Sequence, residues 1–234
     1  MKNQYYVILS FILLGINLQA QISTNELPVS FLLDNSTFLF KNRTVEVLPH
    51  LDMEAIDQED LENDAKSRPL RFGYKHKVDF NLNNSGKWTN LSNGDKIWQL
   101  EISCPNALSI NLLYDKFWLP EGAKFFIFSS DKKHTIGAFT SVNNKGGREN
   151  PLGFATGLVF GDAITLEYYL PASVQDSSII SISYVVHGYR FIFSDETNSK
   201  SRDVSCLVNV NCSEGDAWKN EKNAVALIVV DGYA

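Results

Sequence analysis

Short runs of alternating apolar and polar residues, separated by turn residues, occupy the chain from Gly73 onward. Trp98, Leu100 and Ile102 alternate with polar neighbours, and residues 124–129 form a nearly continuous apolar run of strand length. The same period recurs at residues 78–82, 108–114, 164–168 and 180–186. Clusters typical of turns lie between the runs, at residues 83–86, 92–95, 120–122, 143–147 and 160–162. Short strands at this spacing predict an all-β fold, an antiparallel β-sandwich or jelly roll over residues 70–193.

One helix is predicted, in the acidic piece around residues 53–65. Seven acids occur between Asp52 and Asp64 without a single Lys or Arg. A cation-binding or basic-partner segment is one interpretation. A solvated short helix or linker is the other, and it is favoured because charge runs are usually solvated.

The N-terminus has the layout of a secretory signal peptide. Lys2 supplies a positive charge, residues 5–14 are almost entirely apolar, and the small residue Ala20 precedes Gln21. The apolar run is shorter than the roughly 20 residues of a transmembrane helix. Cleavage after Ala20 is predicted, although Leu18 is larger than the residue usual at that place. We therefore expect an exported protein that is not held in a membrane.

Composition and motifs disfavour several classes of function. The chain has 21 basic and 27 acidic residues, a net charge of -6, which disfavours nucleic acid and anionic membrane surfaces as partners. It has no zinc spacing, nucleophile elbow or phosphate-binding loop. His187, at the end of an alternating run, is interpreted as structural. No cofactor, metal site or catalytic residue is predicted.

Three cysteines bear on how the chain is stabilised after export. Cys206 and Cys212 flank an alternating segment that reads as a strand, so they would lie about 20 Å apart at roughly 3.3 Å per residue. A disulfide needs Cα atoms within about 7 Å. Cys104 could pair with only one of them, or be a reactive thiol, but a buried cysteine beside Pro105 is favoured. We expect the partners of Cys206 and Cys212 to lie beyond this sequence.

The last 40 residues change character. Residues 194–205 are polar and lack aromatic residues, as in an exposed linker that proteases can cut. Residues 224–230 then form an apolar run that reads as a strand, followed by Asp231-Gly232, a strong hairpin signal. A hairpin needs a returning strand, which is a second reason to expect that the protein continues past Ala234.

The segment that starts at Cys206 resembles the beginning of the mature domain of lysyl-endopeptidase-like, trypsin-type secreted bacterial serine proteases. The residues that carry this resemblance are Cys206-Leu-Val-Asn-Val-Asn-Cys212-Ser-Glu-Gly-Asp216, then Trp218, Glu221-Lys222 and Ala224-Val225-Ala226. The preceding region resembles the propeptide domain of their precursors, through Trp98-x-Leu100-x-Ile102-Ser103, Phe117-x-Leu119-Pro120-x-Gly122, Gly137-Ala138-Phe139-Thr140, Gly161-Asp162-x-Ile164-x-Leu166-Glu167-Tyr168 and His187-Gly188-Tyr189-Arg190.

The sequence patterns, together with the resemblance over roughly residues 70–234, predict a precursor of five parts. They are a signal peptide (1–20), an N-terminal pro-segment with a short acidic helix (21–69), a β-sandwich propeptide domain (70–193), an exposed linker with the processing site (194–205) and the first, incomplete strand region of a trypsin-like β-barrel (206–234). The family's His-Asp-Ser triad lies beyond this sequence. The chain itself is therefore expected to be non-catalytic, whereas the full precursor would be a serine endopeptidase, lysine-specific by resemblance. Its partner would be its own protease domain, to which Cys206 and Cys212 would be linked by disulfides.

The linker offers two basic cleavage sites, Lys200-Ser201 and Arg202-Asp203. An acidic residue after the cut slows trypsin-type enzymes, which disfavours the second. We predict cleavage after Lys200, with Ser201 as the new N-terminus.

A free-standing secreted β-sandwich that binds polysaccharide or protein is the alternative function. The 15 Phe, 9 Tyr and 4 Trp could form aromatic platforms, although most such residues belong to cores. The unpartnered cysteines and the final strand favour the precursor, since only that hypothesis explains both.

Overall fold

A computed structural model describes residues 24, 26–33, 43–66, 68–192, 230 and 232–233. Strands make up most of its regular structure. The helices are α1 (Val29–Leu32) and α2 (Met53–Ala65), with one 3-10 turn at Ser141–Asn143. The strands are β1 (Thr44–Val47), β2 (Gly73–Asn81), β3 (Lys87–Asn90), β4 (Lys96–Ser103), β5 (Ser109–Trp118), β6 (Lys124–Ser129), β7 (Thr135–Phe139), β8 (Gly146–Gly147), β9 (Asn150–Pro151), β10 (Phe154–Ala155), β11 (Val159–Phe160), β12 (Ala163–Leu170) and β13 (Ile179–Gly188).

Two sheets contribute side chains to one apolar core. In the large sheet the order is β4, β12, β6 and β7, and both β1 and β3 pair with the free edge of β4. In the small sheet the order is β5, β13 and β2, and the short strands β10 and β11 pair with the other edge of β5. All pairs are antiparallel except β1 with β4. The prediction of a mainly antiparallel β fold is confirmed.

The period-two pattern places the core as expected. Trp98, Leu100 and Ile102 on β4 are fully buried, and they lie in register with the equally buried Tyr168, Leu166 and Ile164 of β12. Each such side chain contributes about 1.5–3 kcal/mol of transfer free energy. Alternation along β4 and β12 therefore marks the inner face of the large sheet correctly.

The alternation fails at one point, on β13. The sequence pattern groups Ile180 and Ile182 with Tyr184 and Val186 on one face. Instead, the register shifts between Ile182 and Tyr184, and a β-bulge changes the phase of the strand. Val185 joins the core, whereas Val186 points to the outer face of the small sheet. The bulge also places His187 on the inner face of the small sheet, in register with the core residue Ile110.

Helix α2 has the bounds predicted for the acidic segment. Asp52 accepts a hydrogen bond from the Ala55 amide (3.1 Å), which satisfies a free donor of the first turn. Most of its acids are exposed, in agreement with the solvated-helix interpretation, but Asp60 is only 2% exposed. For Asp60 that interpretation is wrong. No helix among the described residues is both long enough and apolar enough to cross a membrane.

Residues before Gly73 also pack on the large sheet, which the sequence pattern did not predict. Strand β1 runs parallel to β4, and Arg43 forms an ion pair with Glu101. Residues 26–33 lie over the outer face of the same sheet, where the Phe31 ring meets Phe128 edge to face at 4.8 Å. Beneath them, Glu167 accepts hydrogen bonds from the Ser30 amide and the Gln99 side chain, both 3.0 Å long.

Glu167 is the most deeply buried acid of that face, with no exposed surface. Burial raises the pKa of its carboxyl, and the hydrogen bonds from Ser30 and Gln99 oppose that rise. On sequence alone Glu167 reads as a solvent-facing residue between Leu166 and Tyr168. Residues 26–33 make it an interior one.

Candidate docking site for the C-terminal hairpin

The described part of residues 230–233 forms a tight turn, which we call the C-terminal hairpin. The Val230 amide donates to the Tyr233 carbonyl (2.9 Å), and the Tyr233 amide donates to the Val230 carbonyl (2.8 Å). Gly232 within it has φ +88°, a conformation that glycine adopts without steric cost. The described residues Val230, Gly232 and Tyr233 thus form a turn, whereas Asp231 and the predicted strand over residues 224–229 lie outside the described residues.

The C-terminal hairpin binds the beginning of β2. The Gly232 carbonyl accepts hydrogen bonds from the amides of Phe72 (2.8 Å) and Gly73 (3.1 Å). Tyr233 pairs with Arg71 in an antiparallel bridge. Because β2 is the edge strand of the small sheet, its first residues have free backbone groups to offer. Residues at the C-terminal end of the chain thus lie against a sheet formed by residues 73–188.

Gly232 permits this close approach. A Cβ atom on Gly232 would lie 2.6 Å from the Gly73 carbonyl oxygen, closer than real Cβ atoms come, so a larger residue would force the two backbones apart. A Cβ atom on Gly73 would lie 2.6 Å from Val186 Cγ1 of the neighbouring strand, so a larger residue there would disturb the packing of β2 against β13. We call Arg71, Phe72, Gly73 and Val186 the docking corner.

The outer face of the small sheet is covered at the docking corner. Val186 points away from the core yet is completely buried, and an added Cβ on Gly232 would lie 3.5 Å from it. Asn111, its neighbour in register on β5, also points outward, because Ile110 and Leu112 beside it belong to the core. Asn111 is 4% exposed, and no described residue forms a hydrogen bond with its Oδ1. The burial of these two outward-facing side chains indicates that the outer face of the small sheet is covered at this place.

A buried ionic cluster fixes the docking corner to α2 and to the end of β13. Asp60 accepts hydrogen bonds from Arg71 Nε (2.7 Å) and the Tyr189 hydroxyl (2.8 Å), and it lies 2.8 Å from Arg190 Nη2. Arg71 also pairs with Glu59 at 2.8 Å. Burial, followed by the hydrogen bond and charge of Asp60, raises the pKa of the Tyr189 hydroxyl well above its usual range. Two acids of α2, Glu59 and Asp60, thus form ion pairs with bases of the same chain.

Two histidines lie under the docking corner, on the inner face of the small sheet. The rings of His76 on β2 and His187 on β13 are 5.8 Å apart, centre to centre. His187 is only 2% exposed. His76 Nε2 and His187 Nδ1 are buried and have no hydrogen-bond partner in the described part of the chain. This agrees with a structural interpretation of His187 and adds a neighbour that the sequence did not reveal.

The residues that carry the sequence-based site predictions lie elsewhere in the chain. Ala20, Lys200, Ser201, Cys206 and Cys212 all fall outside the described residues. Cys104 is a free, fully buried thiol, and burial, with a smaller contribution from the charge of Asp162, raises its pKa to about 12. Because the thiolate is the reactive form, Cys104 is inert in the folded protein.

Sequence reasoning did not find the docking corner or the Asp60 cluster. One signal for the cluster existed: seven acids without a base in one segment call for bases elsewhere, and Arg71 and Arg190 flank the small sheet in sequence. The pairing of Gly73 with Gly232 has no local signal, because it joins positions far apart in the chain. Among the described residues, no group of three or more His, Cys, Asp or Glu side chains could hold a metal ion.

No protein-family model matches the chain, and no solved structure matches it significantly.

Proposed function

We propose that this chain is the pro-region, with the first residues of the mature domain, of a secreted trypsin-like serine endopeptidase. In this proposal the two sheets are a β-sandwich propeptide domain, and residues 206–234 begin a trypsin-like barrel. The sandwich assists folding of the protease and keeps the protease inactive until the linker is cut. The chain alone has no catalytic role.

One observation supports the proposal: the C-terminal hairpin binds the beginning of β2, far earlier in the chain. A β-barrel with many contacts between residues distant in sequence folds slowly, because the chain loses the entropy of closing long loops before those contacts stabilise it. A preformed sheet edge that holds the C-terminal hairpin would shorten that search. The same contact restrains the downstream segment while the linker is intact.

The alternative, a free-standing secreted binding module, has weaker support. Trp88 is 38% exposed, but its indole N–H donates to the Leu82 carbonyl (3.1 Å) and its ring packs edge to face on Tyr168. Phe117 and Phe125 belong to the core. These aromatic side chains serve the fold, whereas a binding platform needs flat, free ring faces.

The purified chain should show no peptidase activity. We would incubate it with mixed peptide substrates and with an active-site-directed serine hydrolase probe. We expect neither cleavage nor labelling, because the triad of the resembled family lies outside this sequence. Labelling or cleavage that is abolished by replacing a single serine would contradict the proposal.

The hairpin contact should depend on Gly232. Gly232→Ala places a Cβ against the Gly73 carbonyl at a residue with positive φ, a cost of about 1–3 kcal/mol. We expect hydrogen exchange at the Phe72 and Gly73 amides to accelerate at least about tenfold, since about 1.4 kcal/mol corresponds to that factor.

Gly157→Ala is the matched control for that experiment. A Cβ on Gly157 would meet no atom within 4 Å, so exchange at Phe72 and Gly73 should stay unchanged. Equal exchange rates in Gly232→Ala and the unmodified chain would mean that the hairpin does not hold these amides.

A further inference from the structure

We propose that the docking corner is an acid-released clasp. Protonation of His76 and His187 would release the C-terminal hairpin from the docking corner. This rests on the proposed function and adds its regulation. At neutral pH the sandwich holds the hairpin. In an acidic compartment or medium, the beginning of β2 separates from β13 and frees it.

The position of the two histidines connects them to the clasp. His76 lies in register with Val185, and His187 with Tyr74, so the pair bridges β2 and β13 diagonally. One register step beyond His187, Gly188 pairs with Gly73, whose amide binds Gly232. Separation of β2 from β13 at the histidines would therefore displace the Phe72 and Gly73 amides, which bind the hairpin.

Protonation supplies such a force for two reasons. Each ring already has one buried nitrogen without a hydrogen-bond partner among the described residues, and the protonated ring, which carries a proton on both nitrogens, would place a charged, unsatisfied N–H there. Two imidazolium rings 5.8 Å apart would also repel each other. Both costs fall when the strands separate and water enters.

Among the described residues, no carboxylate acts on the pKa of His76 or His187. From the strand itself, Tyr74 meets His76 at 5.0 Å between ring centres. From β5, the residue in register with His187 is the apolar Ile110. From the connector between β1 and α2, His50 adds only a positive charge. The carboxylate that α2 brings to this end, Asp60, is already bound by Arg71, Tyr189 and Arg190, as described above.

The pH window follows from the direction of the shifts. Burial, then the charges of His76 and His50, lowers the pKa of His187 from 6.5 to about 4. Burial also lowers the pKa of His76. A group that stays neutral in the folded state contributes its full stability above its unfolded pKa and loses it as the pH falls toward the folded value. The clasp should therefore weaken from about pH 6.5 downward and be lost near pH 4.

The test is hydrogen exchange of the full chain between pH 7.5 and 4.5, corrected for the intrinsic rate at each pH. We expect protection of the Phe72 and Gly73 amides to fall at least about tenfold, while amides of β12 keep theirs. The slope of log protection against pH reports the number of protons taken up on opening, and it should approach about two. Protection that stays constant over this range would overturn the proposal.

Variants separate this mechanism from general acid unfolding. His76→Gln/His187→Gln should lose the pH dependence, whereas His134→Gln, which removes an imidazole from the β6–β7 turn, should behave like the unmodified chain. If the double variant does not fold, His76→Gln alone should reduce the slope from about two to about one. A double variant that still loses protection, or a single variant with an unchanged slope, would overturn the proposal. Failure here would leave the serine hydrolase test of the pro-region unaffected.

Discussion

Asp60→Ala should lower the free energy of unfolding by about 3 kcal/mol, the lower end of the cost of removing one partner from a buried ion pair. The variant leaves Arg71 and Arg190 without their shared carboxylate and the Tyr189 hydroxyl without its acceptor. Arg190 keeps about a third of its side-chain surface exposed, so water reduces the penalty. Urea unfolding followed by tryptophan fluorescence measures the difference.

Glu62→Ala in the same helix is the matched control for Asp60→Ala. Glu62 is exposed and pairs with Lys66 at 3.5 Å, and such surface pairs contribute at most about 1 kcal/mol. If both variants lost the same small amount of stability, the Asp60 cluster would not fix α2 to the small sheet.

Lys200→Ala should slow processing of the precursor by at least about tenfold. The resemblance implies a lysine-specific enzyme, which would bind the Lys200 side chain in its specificity pocket and could cut its own linker. Alanine at position 200 cannot form the contacts in the specificity pocket by which such an enzyme selects its substrates. The measurement is a time course of precursor and product on denaturing gels after synthesis of the full-length protein.

Arg202→Ala is the control in the same linker. Asp203 follows Arg202 directly and disfavours cleavage there, so this variant should be processed at the unmodified rate. Slow processing of Arg202→Ala, with fast processing of Lys200→Ala, would move the cleavage site to Arg202-Asp203.

Local pattern predicted much of the fold, because strand faces and turns depend on neighbouring residues. The helix over residues 53–65 and the strand over residues 124–129 have the predicted bounds. The phase of β13 could not be predicted, since the bulge after Ile182 depends on how two partner strands pair with it. The same holds for Glu167, whose burial depends on residues 26–33 crossing a distant strand.

The site was less predictable than the fold for a related reason. Asp60 contacts Arg71, 11 positions away in sequence, and Tyr189, 129 positions away. No local spacing of residues predicts these contacts. Gly232 has a local signal for its turn, but not for its partner. Sequence thus indicated that a hairpin forms, and the structure adds that it binds the beginning of β2.

The most direct test of the precursor hypothesis is N-terminal sequencing of the mature product made from the full-length gene. We predict that the product begins at Ser201, carries Cys206 and Cys212 in disulfides to later cysteines, and has endopeptidase activity. A product that begins at Asp203, or far from the linker, would contradict the assigned processing site. A gene that stops after the codon for Ala234 and yields no active product would contradict the precursor itself.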